Sequence, residues 1–415
     1  MVGGYARHMS LAPWWARPGL EVREGRLHVA GRDAEALARE RGTPLFVYDL
    51  ERIAEQVRSL VGAFERAGAP FRLRMALKAQ RDPQVLAFVR TLGSVGLDVC
   101  SPGEVRHALE HGWRLDEISY TGTNVSERDL DAILGSGVHV NLDLLSQLDR
   151  YGRRSPGTRV GIRVNPRAGA ASGPGQADLY SGAQRPSKFG ILEGQLAQAL
   201  EVAARHGLAI DTVHFHVGDG FLTDGLPAFE LAVERVASMT GALQAAGQPI
   251  VEVNAGGGLG VPHGPGEDPL DVNAFAAVLV RHLGPLGVTI SCEPGDFLTK
   301  EMGVLLAEVV TVDDRDGHVF AGLDAGYNVA PEHFIYAEPM PVVVCRAADV
   351  PVVGPVTVAG NINEGDDLWA EDQPLPEVRE GDIVAILRVG SYNQAMHLDH
   401  CLRPAAGVVA FPERI

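Results

Sequence analysis

Short apolar runs alternate with longer amphipathic segments over the first three quarters of the chain. The apolar runs have the length of buried strands, and the amphipathic segments have helical spacing. Strands are predicted at 45–48, 71–78, 95–100, 117–121, 138–142, 159–164, 212–217, 250–254 and 289–292. Helices are predicted at 51–67, 83–91, 102–111, 127–134, 144–151, 192–206, 225–246 and 272–283. This repetition predicts a (β/α)8 TIM-like barrel, with a doubly wound sheet as the alternative.

The pattern changes near residue 300, where helical spacing nearly disappears and β-rich segments separated by Gly, Pro and Asp begin. Near the N-terminus, alternation over 20–30 predicts an edge strand, and 33–41 has the spacing of a helix. We therefore predict three parts. Residues 1–44 form a segment contributing to a β-domain, 45–300 form the barrel, and 301–415 form the C-terminal β-sandwich or β-barrel domain.

Composition narrows the function class. Of 415 residues, 46% are hydrophobic and 21% are charged, which is typical of a globular enzyme. The formal net charge is −17, so the surface field repels nucleic acid and anionic membranes. We expect a small-molecule substrate and neither a nucleic-acid nor a membrane partner.

The four cysteines are widely separated and form no CxxC pair, which argues against a zinc site and against a disulfide framework. The first residues, MVGGYARHMSLAPWW, lack the apolar core of a signal peptide, and no run is long and apolar enough to span a bilayer. We expect a cytoplasmic protein without a metal.

The stretch FRLRMALKAQ, residues 71–80, predicts a buried strand that ends at Lys78. An amine held at such a position loses hydration, so its pKa is expected to fall and it becomes a candidate for Schiff-base chemistry with a carbonyl cofactor. By itself the stretch also fits a lysine whose ammonium group stays in water, which is the usual fate of lysine.

Polar residues stand at the ends of the other predicted strands, where parallel barrels place their reactive groups. They are Asp98, Arg163, His214, His216, Gly256, Gly257, Gly258 and Glu293. Each alone also fits a structural role, such as a core histidine or half of an ion pair. The triple glycine lets backbone N–H groups approach a phosphate, but it lacks the spacing of nucleotide-binding loops, so the phosphate of a small cofactor fits better.

Together these residues resemble the fold type III pyridoxal-phosphate decarboxylases, which include the diaminopimelate, ornithine and biosynthetic arginine decarboxylases. The family's motifs occur in its order across most of the chain. They are LKA at 77–79, DVCSPGE at 98–104, SKFG at 187–190, HFHVG at 214–218, GGGLG at 256–260, EPG at 293–295 and GSY at 390–392.

The resemblance implies pyridoxal 5′-phosphate (PLP) as the cofactor and a homodimer with shared active sites. It implies that Lys78 forms the Schiff base, that His216 stacks on the ring, and that Glu293 keeps the pyridine nitrogen protonated so that the ring accepts electrons. The expected cofactor-binding residues are Lys78, Asp98, Arg163, His216, Gly257, Gly258, Glu293 and, from the partner subunit's β-domain, Tyr392.

Two departures from the family lie near the expected phosphate. Asp219 stands where relatives have serine, and Asp296 stands where they have the arginine of EPGR. An acid beside a dianionic phosphate is unfavourable. We therefore expect Asp296 to point away, or to pair with Lys188 or an arginine.

The substrate segment also departs from the family. Asn363 occupies the place of a catalytic cysteine, while the acid after it survives as Glu364. Diaminopimelate decarboxylases use an arginine before P-x-x-Y to hold the distal carboxylate, whereas this chain reads Glu332-His333-Phe334-Ile335-Tyr336. We expect Glu332, Tyr336 and Glu364 to contact substrate, with Asn363 at the catalytic position. The candidate donors of the proton to Cα are Lys78, His333 and a water held by Asn363.

These residues predict α-decarboxylation of an amino acid or an amino-acid conjugate other than diaminopimelate, because an anionic Glu332 would repel the distal carboxylate. One alternative is racemisation or another reaction at Cα. A second is a PLP-carrying protein without turnover, to which the missing cysteine gives weight.

Overall fold

The structure is a computed structural model that describes residues 13–171 and 176–414. Residues 1–12, which include most of the leader discussed above, lie outside the described residues. The chain divides into two compact units. The barrel unit comprises Arg52–Pro262 and Asp268–Glu301, and the β unit comprises the described parts of Met1–Glu51, His263–Glu267 and Met302–Ile415.

The elements before residue 170 are, in chain order, β1 (Leu20–Arg23), β2 (Arg26–Val29), β3 (Arg32–Asp33), α1 (Ala34–Arg41), β4 (Leu45–Asp49), α2 (Leu50–Arg66), β5 (Phe71–Ala76), α3 (Pro83–Thr91), β6 (Val95–Val99), α4 (Pro102–Glu110), β7 (Ile118–Gly122), α5 (Glu127–Ser136), β8 (His139–Leu142), α6 (Leu145–Arg154) and β9 (Arg159–Asn165).

After residue 175 they are α7 (Gln176–Ser181), β10 (Ile191–Leu192), α8 (Leu196–His206), β11 (Ala209–His214), α9 (Leu226–Ala245), β12 (Glu252–Asn254), α10 (Val272–Leu283), β13 (Thr289–Cys292), α11 (Asp296–Thr299), β14 (Gly303–Arg315), β15 (His318–Leu323), α12 (Glu332–Tyr336), β16 (Val342–Val344), β17 (Gly354–Ala359), β18 (Leu368–Leu375), β19 (Ile383–Leu387) and β20 (Gly407–Phe411).

Among the described residues, eight parallel strands of the barrel unit form a closed ring in the order β5, β6, β7, β8, β9, β11, β12, β13. The ring closes because β13 pairs with β5, Ile290 opposite Phe71 and Cys292 opposite Leu73. The short strand β10 adds to β9 outside the ring. The predicted barrel is confirmed, and the doubly wound sheet is wrong because its sheet would stay open.

Several barrel helices begin at capping residues that the sequence shows directly. The Asp82 carboxylate accepts the N–H groups of the first turn of α3, which has Pro83 at its first position. Ser101 caps α4 in the same way, and Asp271 caps α10. These side chains satisfy N–H groups that have no partner within the helix, so each cap fixes where a helix leaves its loop.

An ion pair explains the arginines that alternate along the lysine strand. Arg74 Nη1 donates to Glu252 Oε1 at 2.6 Å, and Arg72 Nη1 donates to Glu252 Oε2 at 2.7 Å. Burial raises the pKa of Glu252, but the charge of Arg74 and its hydrogen bonds outweigh burial and leave that pKa below its ordinary value. Arg74 thus belongs to the interior of the barrel, and the exposed Arg72 pairs with the same carboxylate from outside.

The β unit has its main sheet in the order β16, β19, β14, β15, β17, β18. Strand β4 pairs antiparallel with β14 and parallel with β20. The barrel predicted from residue 45 therefore begins later in the structure, because Leu45–Asp49 is hydrogen-bonded into this sheet. A short apolar run looks the same in either setting.

The predicted edge strand at 20–30 is a hairpin in the structure. β1 and β2 pair antiparallel, and the turn between them is made by Glu24 and Gly25, with φ of 52° and 78°. Leu27 and Val29 of the hairpin are fully buried in a core that they share with β4, β14 and β19. The N-terminal segment thus contributes to the core of the β unit.

Over the described ranges, no helix has the length and apolar character needed to cross a bilayer.

Candidate active site

Polar side chains gather at the C-terminal ends of the barrel strands. Lys78 lies two residues after β5, Asp98 is the next-to-last residue of β6, and Arg163 lies in β9. His216 follows β11 by two residues, and Glu293 follows β13 directly. The strands are parallel and their ring is closed, so these side chains lie at one end of the barrel.

The Lys78 side chain is exposed to solvent at the end of the barrel. Desolvation lowers its pKa, but attraction to Asp98, Cys100 and Glu293 outweighs that effect. The net pKa of Lys78 is raised. The expectation of a lowered pKa is therefore wrong, because the sequence suggested the burial but not the ring of acidic groups around the amine.

Glu293 is buried and both of its carboxylate oxygens accept hydrogen bonds. His214 Nε2 donates to Oε2 at 3.0 Å, and Asn254 Nδ2 donates to Oε1. Burial raises the pKa of Glu293, but His214, Arg74 and the hydrogen bond from Asn254 together lower it to about 2. The carboxylate is therefore ionised at neutral pH and fixed in orientation.

Asp98 behaves in the opposite way. It is 5% exposed, and its Oδ1 has no hydrogen-bond partner among the described residues. Burial and repulsion by Glu293 raise the pKa of Asp98 well above its ordinary value, although Lys78 opposes this. The pKa values of Asp98 and Glu293 are thus shifted in opposite directions.

His216 is held as a neutral ring. The backbone N–H of Gly257 donates to its Nδ1 at 3.2 Å, and the ring meets Tyr180 edge to face at 4.9 Å between centroids. Burial, together with repulsion from Arg163 and Lys78, lowers the pKa of His216 well below its ordinary value. A neutral, half-buried imidazole suits stacking against a flat ligand.

Arg163 is a buried cation. Its guanidinium lies 4.2 Å from the centre of the Phe189 ring, and its Nε lies 3.7 Å from Asp143 Oδ1. Burial lowers the pKa of Arg163, although Asp143 and Glu293 oppose this. Asp143 also accepts the backbone N–H of Gly190 at 2.9 Å, which ties the SKFG loop to the same cation.

The glycine run needs small residues for steric reasons. Gly256 has a φ of +67°, and a Cβ there would lie 2.5 Å from the carbonyl oxygen of Phe215. A Cβ on Gly257 would lie 2.7 Å from the carbonyl oxygen of Glu293. The loop can therefore pass closely between the β11 and β13 chain ends.

The acid of EPGD has a partner other than the ones expected. Asp296 Oδ1 lies 3.6 Å from Nζ of Lys300, one turn later in the chain. Lys188 instead lies 4.9 Å from the centre of the Phe189 ring. One partner of Asp296 is thus the buried lysine on the next turn.

Within the β unit, Glu332 is 1% exposed. Its carboxylate accepts a hydrogen bond from Asn393 Nδ2 at 2.9 Å. Tyr336 ends α12, is 38% exposed and packs edge to face with Tyr392 at 6.4 Å between ring centres. The β unit thus brings the predicted site residues Glu332, Tyr336 and Tyr392 together around α12 and residues 392–393.

Asn363 and Glu364 are exposed on a turn that Asp367 organises. The buried Asp367 carboxylate accepts the backbone N–H groups of Ile362 at 2.7 Å and Tyr327 at 2.9 Å. His400 Nε2 lies 3.1 Å from Glu364 Oε1. The turn therefore presents Asn363 outward on a fixed backbone.

Sequence reasoning assigned no role to His214, Asn254, Asp143 or Asp367. His214 has the same alternation as His216 along β11, so its inward direction could have been inferred. Asn254 ends β12 beside β13, which is a weaker signal. The contacts of Asp143 and Asp367 depend on loop geometry that has no sequence pattern.

The residues at the barrel end fit the chemical groups of PLP. They provide an amine for its aldehyde, an ionised carboxylate for its pyridine nitrogen and a neutral imidazole for its ring face. They also provide a glycine-rich turn and a buried guanidinium as sources of positive potential for a phosphate. The unpartnered oxygen of Asp98 and the half-buried face of His216 leave polar and flat surfaces for such a ligand.

Comparison with known proteins agrees with this chemistry. A family model described as "Pyridoxal-dependent decarboxylase, pyridoxal binding domain" matches residues 50–300. The diaminopimelate decarboxylase of Methanothermobacter thermautotrophicus is 37% identical over 408 residues, covering 95% of this chain and 93% of the relative. That of Escherichia coli K12 is 30% identical over 399 residues, covering 90% of each.

Solved structures agree as well. Diaminopimelate decarboxylase from Helicobacter pylori, in complex with L-lysine, has a TM-score of 0.82 at 26% identity. The match covers 91% of this chain and 94% of that one. The chain therefore belongs to the pyridoxal-dependent decarboxylase family and is a PLP-dependent carboxy-lyase.

Proposed function

We propose that this enzyme removes the α-carboxylate of an amino acid or an amino-acid conjugate, using PLP bound at the C-terminal end of its barrel. The observation that carries the proposal is Glu293, a buried carboxylate kept ionised and oriented by His214 and Asn254. An ionised acid in that position has a clear use opposite a pyridine nitrogen. It stabilises the protonated ring.

When bound, PLP accepts the electron pair that a broken Cα bond leaves behind. The Lys78 amine holds the cofactor covalently. Glu293 keeps its charge in a low-dielectric interior, where a fixed charge acts most strongly. His216 covers one ring face without adding positive charge, because Gly257 fixes its Nδ1 as an acceptor.

We propose phosphate and ring contacts for the remaining cofactor residues. Arg163 supplies a buried positive charge. Gly257 and Gly258 lack Cβ atoms, so their backbone can approach the phosphate closely. Asp98 is the first-ranking acidic neighbour of the Lys78 amine, and we propose that it contacts the bound cofactor. From the partner subunit of a homodimer, Tyr392 is expected to reach the phosphate.

For the substrate, we propose an amino acid or conjugate whose distal end lacks the carboxylate of diaminopimelate. Glu332 lies in the segment in which the family resemblance expects an arginine, and Asn393 fixes it in place. An anionic Glu332 in the substrate segment favours a neutral or cationic distal group. Tyr336 and Glu364 are the other proposed contacts.

Diaminopimelate itself is the second candidate substrate. It is favoured by the relatives, two of which match nearly the whole chain at 30–37% identity and are named diaminopimelate decarboxylases. Neither racemisation nor a carrier without turnover has support from these relatives.

A parallel substrate assay distinguishes the candidates. The PLP-loaded enzyme is incubated separately with meso-diaminopimelate, lysine, ornithine, arginine and N-acylated forms of these amino acids. Release of CO2 and the mass of the product are measured. We expect release of CO2, with kcat/KM highest for a substrate other than diaminopimelate. A highest kcat/KM for meso-diaminopimelate would refute the proposed substrate class. Loss of α-deuterium without CO2 would refute decarboxylation.

A further inference from the structure

We infer that Cys100 is a catalytic residue whose thiol delivers a proton to Cα after CO2 has left. The inference rests on the proposed decarboxylation. It addresses the acid that position 363 lacks, since an amide has no usable proton near neutral pH.

The first support is the pairing of β5 with β6. The strands run parallel with Ala76 opposite Asp98, and the N–H of Leu77 donates to the carbonyl oxygen of Asp98 at 2.9 Å. The backbone at Leu77 therefore stays beside Asp98 as the chain enters the turn at residues 77–79. Cys100 is two residues past Asp98, and side chains two residues apart along an extended chain point to the same side, so the thiol leaves β6 on the side of the Asp98 carboxylate.

The second support is accessibility at this point. Cys100 and Lys78 are both exposed, although the residues before them on each strand are buried. Both side chains are therefore accessible at the barrel end that carries the proposed cofactor amine.

The third support is the rigidity of the loop. The backbone N–H of Cys100 donates to Glu104 Oε2 at 2.7 Å, while Ser101 Oγ accepts the N–H of Glu104 at 3.1 Å. This reciprocal pair anchors the β6–α4 turn to the first turn of α4. A proton donor needs such a fixed position relative to the atom it protonates.

The thiol is protonated at neutral pH, as a proton donor must be. Burial and the charge of Glu104 raise the pKa of Cys100 to about 12, so the sulfur keeps its proton at neutral pH. The bond between Cα and the carboxylate breaks, CO2 leaves, and the electron pair left on Cα takes the proton from Sγ. The resulting thiolate recovers a proton from water, so the cycle closes without an oxidant or reductant.

The other cysteines do not share this setting. Cys292 and Cys345 are buried, and Cys401 is exposed in the β unit. Cys401 therefore provides a matched control, since it is an exposed thiol with no role in the proposed machinery.

The placement is tested without turnover. Full-length enzyme, with PLP and after its removal by hydroxylamine, is treated with methyl methanethiosulfonate, and each cysteine peptide is quantified by mass spectrometry. We expect PLP to slow labelling of Cys100 by about tenfold or more, because access of the reagent controls thiol reactivity. Equal labelling of Cys100 in both forms would overturn the placement.

The chemistry is tested with Cys100→Ala, Cys100→Ser and Cys401→Ser, using the best substrate from the assay above. In Cys100→Ala we expect kcat to fall about 10²-fold, and more turnovers to end with pyridoxamine phosphate and a carbonyl product, because the proton reaches the wrong carbon. Cys100→Ser should recover part of the correct product, and Cys401→Ser should resemble the wild type.

Three outcomes separate the failures. A wild type that releases no CO2 from any amino acid refutes the proposed function, and the role of Cys100 with it. An active wild type with an unchanged Cys100→Ala variant refutes the inference alone. A defect in Cys401→Ser but not in Cys100→Ala would assign the proton to the other thiol and likewise refute it.

Discussion

The imidazole of His214 and the carboxylate of Glu293 are joined by a hydrogen bond of 3.0 Å between Nε2 and Oε2. Both residues are buried, and Asn254 holds the second carboxylate oxygen. Neighbouring strands thus fix both the charge and the direction of one acid. Two buried polar side chains hydrogen-bond to this one carboxylate. Such support is expected where the orientation of the carboxylate matters for the reaction.

Glu293→Gln should lose about 10²-fold or more in kcat while retaining much of its PLP. The neutral amide cannot keep the pyridine nitrogen protonated, and each 1.36 kcal/mol of transition-state stabilisation is worth tenfold in rate. Steady-state kinetics and the absorption of bound PLP measure the two effects. An unimpaired variant would contradict the electron-accepting role of the protonated ring.

Glu252→Gln is the matched control, since Glu252 is also a buried glutamate on a barrel strand. Its substitution leaves Arg74 buried without its ionic partner, so we expect a loss of about 3–5 kcal/mol in unfolding free energy. The absorption spectrum of bound PLP should stay normal. The two variants thus separate a chemical role from a structural one.

The barrel could be predicted from the sequence because each strand has a distinct apolar run and several helices begin at a visible cap. The bounds predicted for α3 and α10 agree with the structure. Strand β4 was misassigned, because its apolar run does not state which sheet it joins. Its partners β14 and β20 lie more than 250 residues away.

His216 should make stability depend on pH. Its folded pKa is lowered well below that in an unfolded chain, so unfolding takes up a proton below about pH 6.5. The stability contribution is therefore complete above that pH and is lost as the pH falls towards the folded pKa. In PLP-free protein, Tm should fall less steeply between pH 7 and pH 5 in His216→Gln than in the wild type. Parallel curves would show that His216 takes no part.

Lys78 should carry the cofactor. Borohydride reduction of the PLP-loaded enzyme should place a pyridoxyl group on the peptide containing Lys78, because an amine at the barrel end binds the aldehyde covalently. Lys300→Arg is the control, since Lys300 is a buried lysine that pairs with Asp296. A pyridoxyl mass on any other lysine would refute the assignment.

The proposed homodimer should share its active sites. Lys78→Ala and Tyr392→Phe enzymes should each be inactive or nearly so, and mixing them should restore about one competent site per heterodimer, since a two-fold interface pairs each barrel with its partner's loop. Subunit exchange is verified by native mass spectrometry before activity is measured. No recovery after verified exchange would exclude sharing.

The site was less predictable than the barrel, for electrostatic reasons. The position of Lys78 followed from its strand, but its raised pKa depends on Asp98 and Glu293, which converge only in the folded ring. Asp296 shows the same limit. Its partner Lys300 is four residues away, yet the pairing depends on a helical turn after EPGD that has no clear sequence signal.

Asn363 is the position at which this chain is expected to depart from the family pattern, and Asp367 holds its turn through two backbone N–H groups. If Cys100 delivers the proton, Asn363 has only a positional role. Asn363→Ala should then keep most of the turnover, with the correct amine as its main product. Asn363→Cys should preserve or raise the correctly protonated fraction, because a thiol at this position can act as an acid.

Product analysis in D2O, scored as the ratio of deuterated amine to pyridoxamine phosphate, measures this directly. Asp367→Asn is the structural control, because it weakens the acceptor of two backbone N–H groups and should disturb the whole turn instead of one side chain. Abolished turnover in Asn363→Ala, with PLP and substrate still bound, would show that the amide orients substrate or water. Asn363 would then take part in catalysis. The hypothesis that it only fills the place of a missing acid would be wrong.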